Sequence, residues 1–374
     1  MTLLHKGRVL VTGGAGLIGS HLTDLLIQTG YDVTVLDFLE PQTHPNGKPA
    51  WVNPKARFIH GNILNEQDLK NTLQGVNFVF HQSAFVGFTE ENSKYFEVNG
   101  CGTAQLFECI FKYKLPVQKV VVASSQAVYG EGAYICKKDG LQFPPVRSLE
   151  ALKKKHWELT CEKCGYPLGP AFTSEEKRRD GESPYALSKE LEERLALFCG
   201  KKFGVAVTAL RYGVTYGPRQ SVFNPYTGVV SIFSTRLLND LAPLIYEDGN
   251  QSRDFVYVKD IARANLFAAE HPSTDGQVFN VGTGKPTEIA GLARILAGIY
   301  KKPIEPEICG KFRHGDVRHL VLDPSKLKKL GFTIETSLSE GLSHFAEWME
   351  SQGKVEDVFS KAYEKLKQNR VVCD

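Results

Sequence analysis

Short apolar runs alternate with helical patterns through the first half of the chain. Arg8–Thr12 (RVLVT) is nearly continuous in apolar residues, which predicts a strand buried on both faces. Leu17–Gln28 spaces its apolar residues at helical intervals and predicts an amphipathic helix. The rhythm then repeats. Strands are predicted over Asp32–Leu36, Phe58–Ile59, Val76–Phe80 and Lys119–Ala123, and helices over Glu66–Leu73 and from Ser93 to Tyr113. Strands that alternate with helices imply parallel pairing through right-handed crossovers.

Between Glu131 and Glu182 the rhythm breaks. This stretch holds three cysteines, several prolines, a basic cluster at Lys154–His156 and a charged run at Glu175–Arg179. It reads as an insertion on the domain surface. A strong helix starts at Ser183, with Leu187, Leu191, Leu195 and Phe198 on one face, and a sixth strand follows at Val205–Leu210. The second half is less regular, with loops around Gly217–Pro218, Tyr257–Asp260 and Asn280–Gly284. The predicted fold class is α/β, a Rossmann doubly wound parallel sheet with a smaller C-terminal α/β substrate-binding domain. Residues 1–212 are expected to form the first unit, with the insertion at about 131–182. Residues 213–350 are expected to form mainly the second, with part of the chain returning to the first, and 351–374 a C-terminal tail that reads as a charged helix after Lys354.

Charge and composition narrow the function classes. The net charge is +3 and the basic residues are scattered, so neither nucleic acid nor an anionic membrane surface is an expected partner. No apolar run is long enough to span a bilayer, and Met1–Gly7 lacks the layout of a signal peptide. Eight cysteines in such a chain suggest reduced thiols and a cytoplasmic location.

Candidate chemistry begins at Gly13-Gly-Ala-Gly16-Leu17-Ile18-Gly19, between the first strand and the first helix. Gly13 permits a tight turn, Gly16 lets a pyrophosphate approach the backbone, and Gly19 lets helix and strand pack closely. The unpaired N–H groups and dipole of the helix would face the phosphates. Asp37 ends the second strand, where an acid accepts hydrogen bonds from adenosine ribose hydroxyls and repels a 2′-phosphate. NAD is therefore favoured over NADP. The plainer alternative is a strand-end acid that caps the next loop.

Tyr185-Ala-Leu-Ser-Lys189 opens the helix after Ser183, so its tyrosine and lysine lie one turn apart on one face. A phenol is a poor base at its ordinary value near 10, but a neighbouring ammonium and an oxidised nicotinamide both stabilise the phenolate. Ser125 follows the fifth strand, at the carboxyl edge where such sheets bind ligands, and is placed to hydrogen-bond a substrate oxygen. Tyr/Lys pairs and strand-end serines also occur by chance. Their joint occurrence with the glycine turn and Asp37, in this order, sets them apart.

Over roughly residues 7 to 350 the chain resembles the extended short-chain dehydrogenase/reductases that act on nucleotide sugars, the NAD-dependent epimerase/dehydratase family. The resemblance is carried by GGAGLIG at 13–19, His81-Gln-Ser83-Ala84, Val98-Asn99 with Gly102-Thr103, and SSQAVYG at 124–130. It continues through YALSK at 185–189, Leu210-Arg-Tyr212, Tyr216-Gly-Pro218, RDFVYV at 253–258 and Asn280-Val-Gly282. It implies catalytic roles for Ser125, Tyr185 and Lys189. It implies a cofactor site of Gly13, Gly16, Leu17, Ile18, Gly19, Asp37, Asn62, Ile63, Ser83, Ala84, Asn99, Ser124, Tyr185, Lys189 and Tyr212. Arg253 matches an arginine that pairs with the diphosphate of the substrate, and Arg318 another near the nucleotide. Either could instead be a salt-bridge partner.

More narrowly the chain resembles nucleotide-sugar 4-epimerases of the dTDP-L-rhamnose type, with UDP-glucuronate 4-epimerases as near relatives. The carrying residues are Asn224 through Arg236, EDGNQSRDFVYV at 247–258 and the cysteine-bearing insertion. Asn224 is assigned to substrate binding on this basis. Two positions depart from the pattern: Asn62 stands where the family has Asp beside the adenine, and Val214 where relatives carry Asn or Thr. Gln126-Ala127 replaces the Asp-Glu pair of the resembling 4,6-dehydratases, which disfavours dehydration. Family members commonly dimerise by pairing the Ser93–Tyr113 and Tyr185 helices about a two-fold axis. Phe96, Phe107, Ile110 and Phe111 supply apolar surface for this, or simply fill the core.

Cys161-Glu-Lys-Cys164 has the spacing of a zinc knuckle, and Cys136 lies upstream in the same insertion. The three thiolates would form most of a tetrahedral structural zinc site, with Asp139 or His156 as fourth ligand. Free thiols in a loop are the alternative.

Overall fold

The computed structural model describes residues 6–86, 91–222, 228–313, 315–357, 359, 360, 363, 372 and 373. Its central sheet has seven strands, all paired in parallel. They are β1 (Arg8–Thr12), β2 (Asp32–Asp37), β3 (Arg57–His60), β4 (Phe78–His81), β5 (Lys119–Ser125), β9 (Ala206–Tyr212) and β14 (Gln277–Val281). The spatial order is β14-β9-β5-β4-β1-β2-β3. From β1 the chain winds outward first through β2 and β3, then returns to β4 on the other side. The crevice at this reversal, beyond the carboxyl ends of the strands, is where such sheets take a dinucleotide.

Apolar faces of the crossover helices cover both sides of the sheet. Helices α1 (Leu17–Gln28) and α8 (Val258–Glu270) cover one face, where Leu22, Leu26, Ile261 and Ala264 join Val9, Val11 and Val121 in a core. On the other lie α2 (Glu66–Thr72), α4 (Gly102–Lys112) and α6 (Pro184–Phe203), where Leu69, Leu106, Phe107 and Ala196 meet Leu10, Val79 and Val120. The long helix expected from Ser93 is interrupted: α3 (Ser93–Tyr95) passes into a π-helical stretch, Phe96–Cys101, before α4 begins. Such wide turns recur at functional sites, and this one carries Asn99. Helix α6 is capped by Ser183, whose hydroxyl accepts from the Ala186 N–H, and it ends on Gly204 in the left-handed conformation.

The segment expected as a surface insertion contributes three strands to a second sheet. These are β6 (Ala133–Cys136), β7 (Gly140–Gln142) and β8 (Gly169–Thr173), joined by β12 (Ser252–Arg253), β15 (Thr287–Glu288) and β18 (His319–Leu322). Their order is β15-β12-β18-β8-β6-β7. A short helix, α5 (Leu149–Lys153), lies between β7 and β8. Smaller pairings complete the second half: β10 (Val214–Tyr216) with β13 (Phe255–Tyr257), β11 (Leu244–Ile245) with β16 (Glu307–Ile308), and β17 (Phe312–Arg313) with β19 (Val372–Cys373). Helices α7 (Val229–Leu238), α9 (Ile289–Ile299) and α11 (Leu338–Ser351) pack a separate core around Phe233, Leu292 and Phe345, and α10 (Ser325–Lys329) precedes α11.

Candidate active site

The glycine turn lies at the carboxyl end of β1, and its glycines are required for different reasons. A Cβ on Gly19 would sit 2.2 Å from the Gly13 carbonyl oxygen, and one on Gly13 would strike the backbone of Gln82 and Ser83. Gly13 also has φ of +68°, a conformation that favours glycine. Gly14, not singled out in the sequence, is packed against Val35, whose side chain would lie 2.5 Å from its Cβ. Gly16 differs: only the Gly13 carbonyl lies within 4 Å of its added Cβ, at 3.4 Å. Space therefore remains above Gly16, and no side chain caps α1 there. Gly16, Leu17 and Ile18 are half-buried at this rim. An open backbone surface at a free helix N-terminus fits a pyrophosphate.

Asp37 braces this turn. Its Oδ2 accepts from the Ala15 N–H at 2.8 Å and its Oδ1 from the Leu39 N–H at 2.8 Å. A carboxylate has about four acceptor positions, so two backbone bonds leave it capacity for ribose hydroxyls. Nearby, Asn62 spends its amide oxygen on the Leu64 N–H, and Ile63 is buried against Gly102.

The next strand ends add a buried polar set. Asn99 is fully buried and clamps the backbone of Phe85, accepting from its N–H at 2.7 Å and donating to its carbonyl at 3.2 Å. It thereby fixes the Ser83–Ala84 segment beside Gly13. His81 lies between the hydroxyls of Thr12 (2.8 Å) and Thr103 (3.0 Å). Thr103 donates its own proton to the Asn99 carbonyl, so His81 Nε2 must donate and Nδ1 must accept. Burial, aided by the charge on Lys189, pushes this imidazole down to about 3. It is neutral at physiological pH.

Ser125 ends β5 in register with Tyr212 on β9. Its Oγ accepts from the Ala127 N–H at 3.1 Å and so starts the 3-10 turn Gln126–Tyr129. The first turn of α6 lies against that turn. Gly181 is wedged between them, so that a Cβ there would meet the Ala186 Cβ at 2.5 Å and the Ala127 carbonyl at 2.7 Å. This brings Tyr185 and Ser125 to one edge of the sheet. The Tyr185 ring packs edge-on to Tyr95 at 6.3 Å and is half-buried. Lys189, one turn along, is buried and pairs with Glu192 at 2.5 Å. Tyr212 bonds through its hydroxyl to Gln82 and Asn265.

Ser124 is also buried, but its hydroxyl is committed to Glu193 at 2.7 Å. Glu193 also takes both arms of Arg211, at 2.9 and 2.6 Å, and Arg179 at 2.9 Å. Burial opposes its charge, yet these bonds, with Arg211 foremost, hold it below the ordinary carboxylate range. One acid thus ties α6 to the ends of β5 and β9. It lies eight residues after Tyr185, and only the fold reveals its partners.

The arginines of the second half sit differently from each other. Arg253, on β12, reaches Asp316 at 2.8 Å and the carbonyls of Ser252, Val317 and Arg318. Arg318 is fully buried among three carboxylates, Glu158, Glu247 and Asp248, which engage its Nε and both terminal nitrogens. A phosphate approaching Arg318 would meet these acids first. The arrangement makes Arg318 a joint between the insertion and the loop before β12, the salt-bridge alternative for this residue. Asn224 lies outside the described residues.

In the insertion, one donor atom from each of Cys136, Asp139, Cys161 and Cys164 lies within 4.8 Å of the others. Cys136 and Cys161 are buried, and the Asp139 carboxylate accepts from Cys161 at 3.2 Å. Cys136 and Cys164 stand 3.5 Å apart. Of the two fourth-ligand candidates, Asp139 is in the cluster. His156 is exposed and does not belong to it.

The fold and this site define a dinucleotide-dependent enzyme class, and comparison with known proteins agrees. The model of the NAD dependent epimerase/dehydratase family matches residues 9–163 and 149–282, and the chain belongs to that family. The dTDP-L-rhamnose 4-epimerase of Burkholderia thailandensis is 32% identical, over 93% of this chain and 96% of its own. The UDP-glucose 4-epimerase of Thermotoga maritima, solved with UDP-glucose, superposes with a TM-score of 0.76 at 33% identity, covering 92% of this chain and 99% of its own. UDP-glucuronic acid 4-epimerase of Bacillus cereus, solved with UDP-glucuronic acid and NAD, has a TM-score of 0.75 at 26% identity, covering 92% and 99%.

Proposed function

We propose that the chain is an NAD-dependent nucleotide-sugar 4-epimerase acting on dTDP-L-rhamnose or a similar nucleotide sugar. What supports the reading is that Ser125 ends β5 and that Tyr185 and Lys189 open the helix packed on the turn after it, at the same end of the parallel sheet as the open glycine turn braced by Asp37. C4 of a pyranose has no adjacent carbonyl, so its hydrogen cannot leave simply as a proton. Bound NAD supplies a hydride acceptor that becomes the donor for the return step.

The chain's own groups do the remaining work. Tyr185 takes the O4 proton as C4 is oxidised and gives it back when the ketone is reduced. Ser125 donates a hydrogen bond to that oxygen. Lys189, one turn from Tyr185 on α6, is assigned to supply positive charge toward its hydroxyl and to hold ribose hydroxyls of the cofactor. Gln126 and Ala127 supply no acid/base pair, so the 4-keto sugar is not diverted into water loss. Turning the ketone over about its diphosphate link then exposes its other face. Arg253 is assigned to the diphosphate, where a guanidinium fork suits phosphate oxygens.

We assign structural zinc to the cluster of Cys136, Cys161, Cys164 and Asp139, where it would order the insertion and take no part in the reaction. Residues 1–212 are read as the cofactor unit and 213–350 as mainly the substrate unit. The protein is assigned as a homodimer. Supporting this, the outward faces of α4 and α6 expose Phe111 (61%), Phe198 (62%), Leu187 (45%) and Leu191 (38%). A two-fold axis would bury such a patch against its own copy. The cysteines of the insertion form no disulfide, which fits a reducing compartment, the cytoplasm.

The test is Tyr185→Phe. The variant should bind NAD and nucleotide sugar as the parent does and lose at least about a hundredfold in turnover. Epimerisation at the parental rate would refute the assignment.

A further inference from the structure

Tyr185, Lys189 and Glu192 fall on one stripe of α6, at intervals of four and three residues. Glu192 is fully buried, with Oε2 on the Lys189 ammonium at 2.5 Å. Its other oxygen, Oε1, is buried without a hydrogen-bond partner among the described residues. An orphaned carboxylate oxygen of this kind is costly, and a purely structural ion pair normally satisfies both oxygens.

The surroundings make Glu192 the counter-charge of Lys189. On the same helix, Glu193 adds a like charge, but that charge is answered by Arg211 and Arg179. From β9, Tyr212 faces Glu192 with its hydroxyl occupied by Gln82 and Asn265. From β4, His81 faces Lys189 and is neutral. Burial raises the Glu192 carboxyl to about 7, with Lys189 opposing the rise.

We propose that Glu192 is a positioning residue for Lys189, holding its ammonium along the helix and setting how much of its positive charge reaches the Tyr185 hydroxyl. While Glu192 is ionised, the pair is nearly neutral as seen from Tyr185. When Glu192 takes up a proton from solvent, or is replaced by a neutral group, the ammonium acts on Tyr185 in full. It is then also free to turn toward ribose hydroxyls. The inference rests on the roles assigned above to Tyr185 and Lys189.

The experiment compares Glu192→Gln, and the shorter acid Glu192→Asp, with the parent. Each is titrated with NAD bound, and phenolate absorbance is read in the near ultraviolet. Subtracting the matching Tyr185→Phe protein isolates this residue from the other tyrosines. Glu192→Gln should move phenolate formation at Tyr185 to lower pH by about half a unit or more. Glu192→Asp should shift it in the same direction and less. The acid limb of kcat should move with the titration while KM changes little, and the shift should vanish when Lys189 is also replaced by Met. A titration and pH profile unchanged in both variants, with only the melting temperature altered, would overturn the proposal. A parent without a Tyr185 phenolate signal, together with an active Tyr185→Phe, would instead overturn the underlying assignment of Tyr185.

Discussion

Glu193 offers the sharpest quantitative test of how the site is held. Glu193→Ala would remove a fully buried carboxylate and leave Arg211, itself buried, without its bidentate partner. Ser124 would lose its acceptor as well. Removing one member of a buried pair costs about 3–5 kcal/mol, because the other charge stays uncompensated. The Arg179 contact is partly exposed and adds little to this. For 374 residues the unfolding entropy is about 0.8 kcal/mol per kelvin, so the melting temperature should fall by about 4–6 °C. Calorimetry measures this directly. Turnover should fall too, since Glu193 ties the helix bearing Tyr185 to the strand bearing Ser125. A volume-matched apolar pair, Glu193→Leu with Arg211→Met, should recover much of the stability. A loss below about 1 kcal/mol for Glu193→Ala would refute the reasoning.

Other predictions follow from the same geometry. His81 has its folded value depressed to about 3 from 6.5, so the unfolded chain binds the proton first and stability falls as pH drops from 6.5 toward 3. The full contribution is about 5 kcal/mol. Denaturation across that window should be flatter in His81→Gln, and parallel curves would exclude the role. Phe111→Asp with Phe198→Asp should give a monomer by light scattering from a parent that scatters as a dimer. A monomeric parent at micromolar concentration would remove that assignment. Metal analysis should find one zinc per chain, and Cys161→Ser should lose the metal and lower the melting temperature while substantial turnover remains. Metal-free protein of unchanged stability would exclude the site.

Strands β1 and β5 were legible because their apolar runs bury both faces, and β2 because Val33, Val35 and Leu36 mark it out between polar residues. The glycine turn was legible because its glycines follow from local backbone demands. The π-helical stretch was not, since it goes with Asn99 bonding to Phe85, fourteen residues away. Nor was the pairing of the insertion, whose β8 finds its partner β18 about 150 residues later. Arg318 shows the same limit: the acids around it come from positions 158, 247 and 248, which only the fold brings together. On α6 the apolar residues at 187, 191 and 198 were visible as a face, whereas their exposure needed the fold.

Cofactor bookkeeping tests the proposed activity most directly, because an epimerase returns each hydride it takes. Purified protein is mixed with dTDP-L-rhamnose, then separately with UDP-glucuronate. NADH absorbance is followed alongside the C4 configuration by NMR. Turnover should proceed with no more NAD than fills the sites, with inversion at C4 and at most a small, bounded NADH signal. Stoichiometric NADH accumulation with each sugar consumed would contradict epimerisation and identify a dehydrogenase instead.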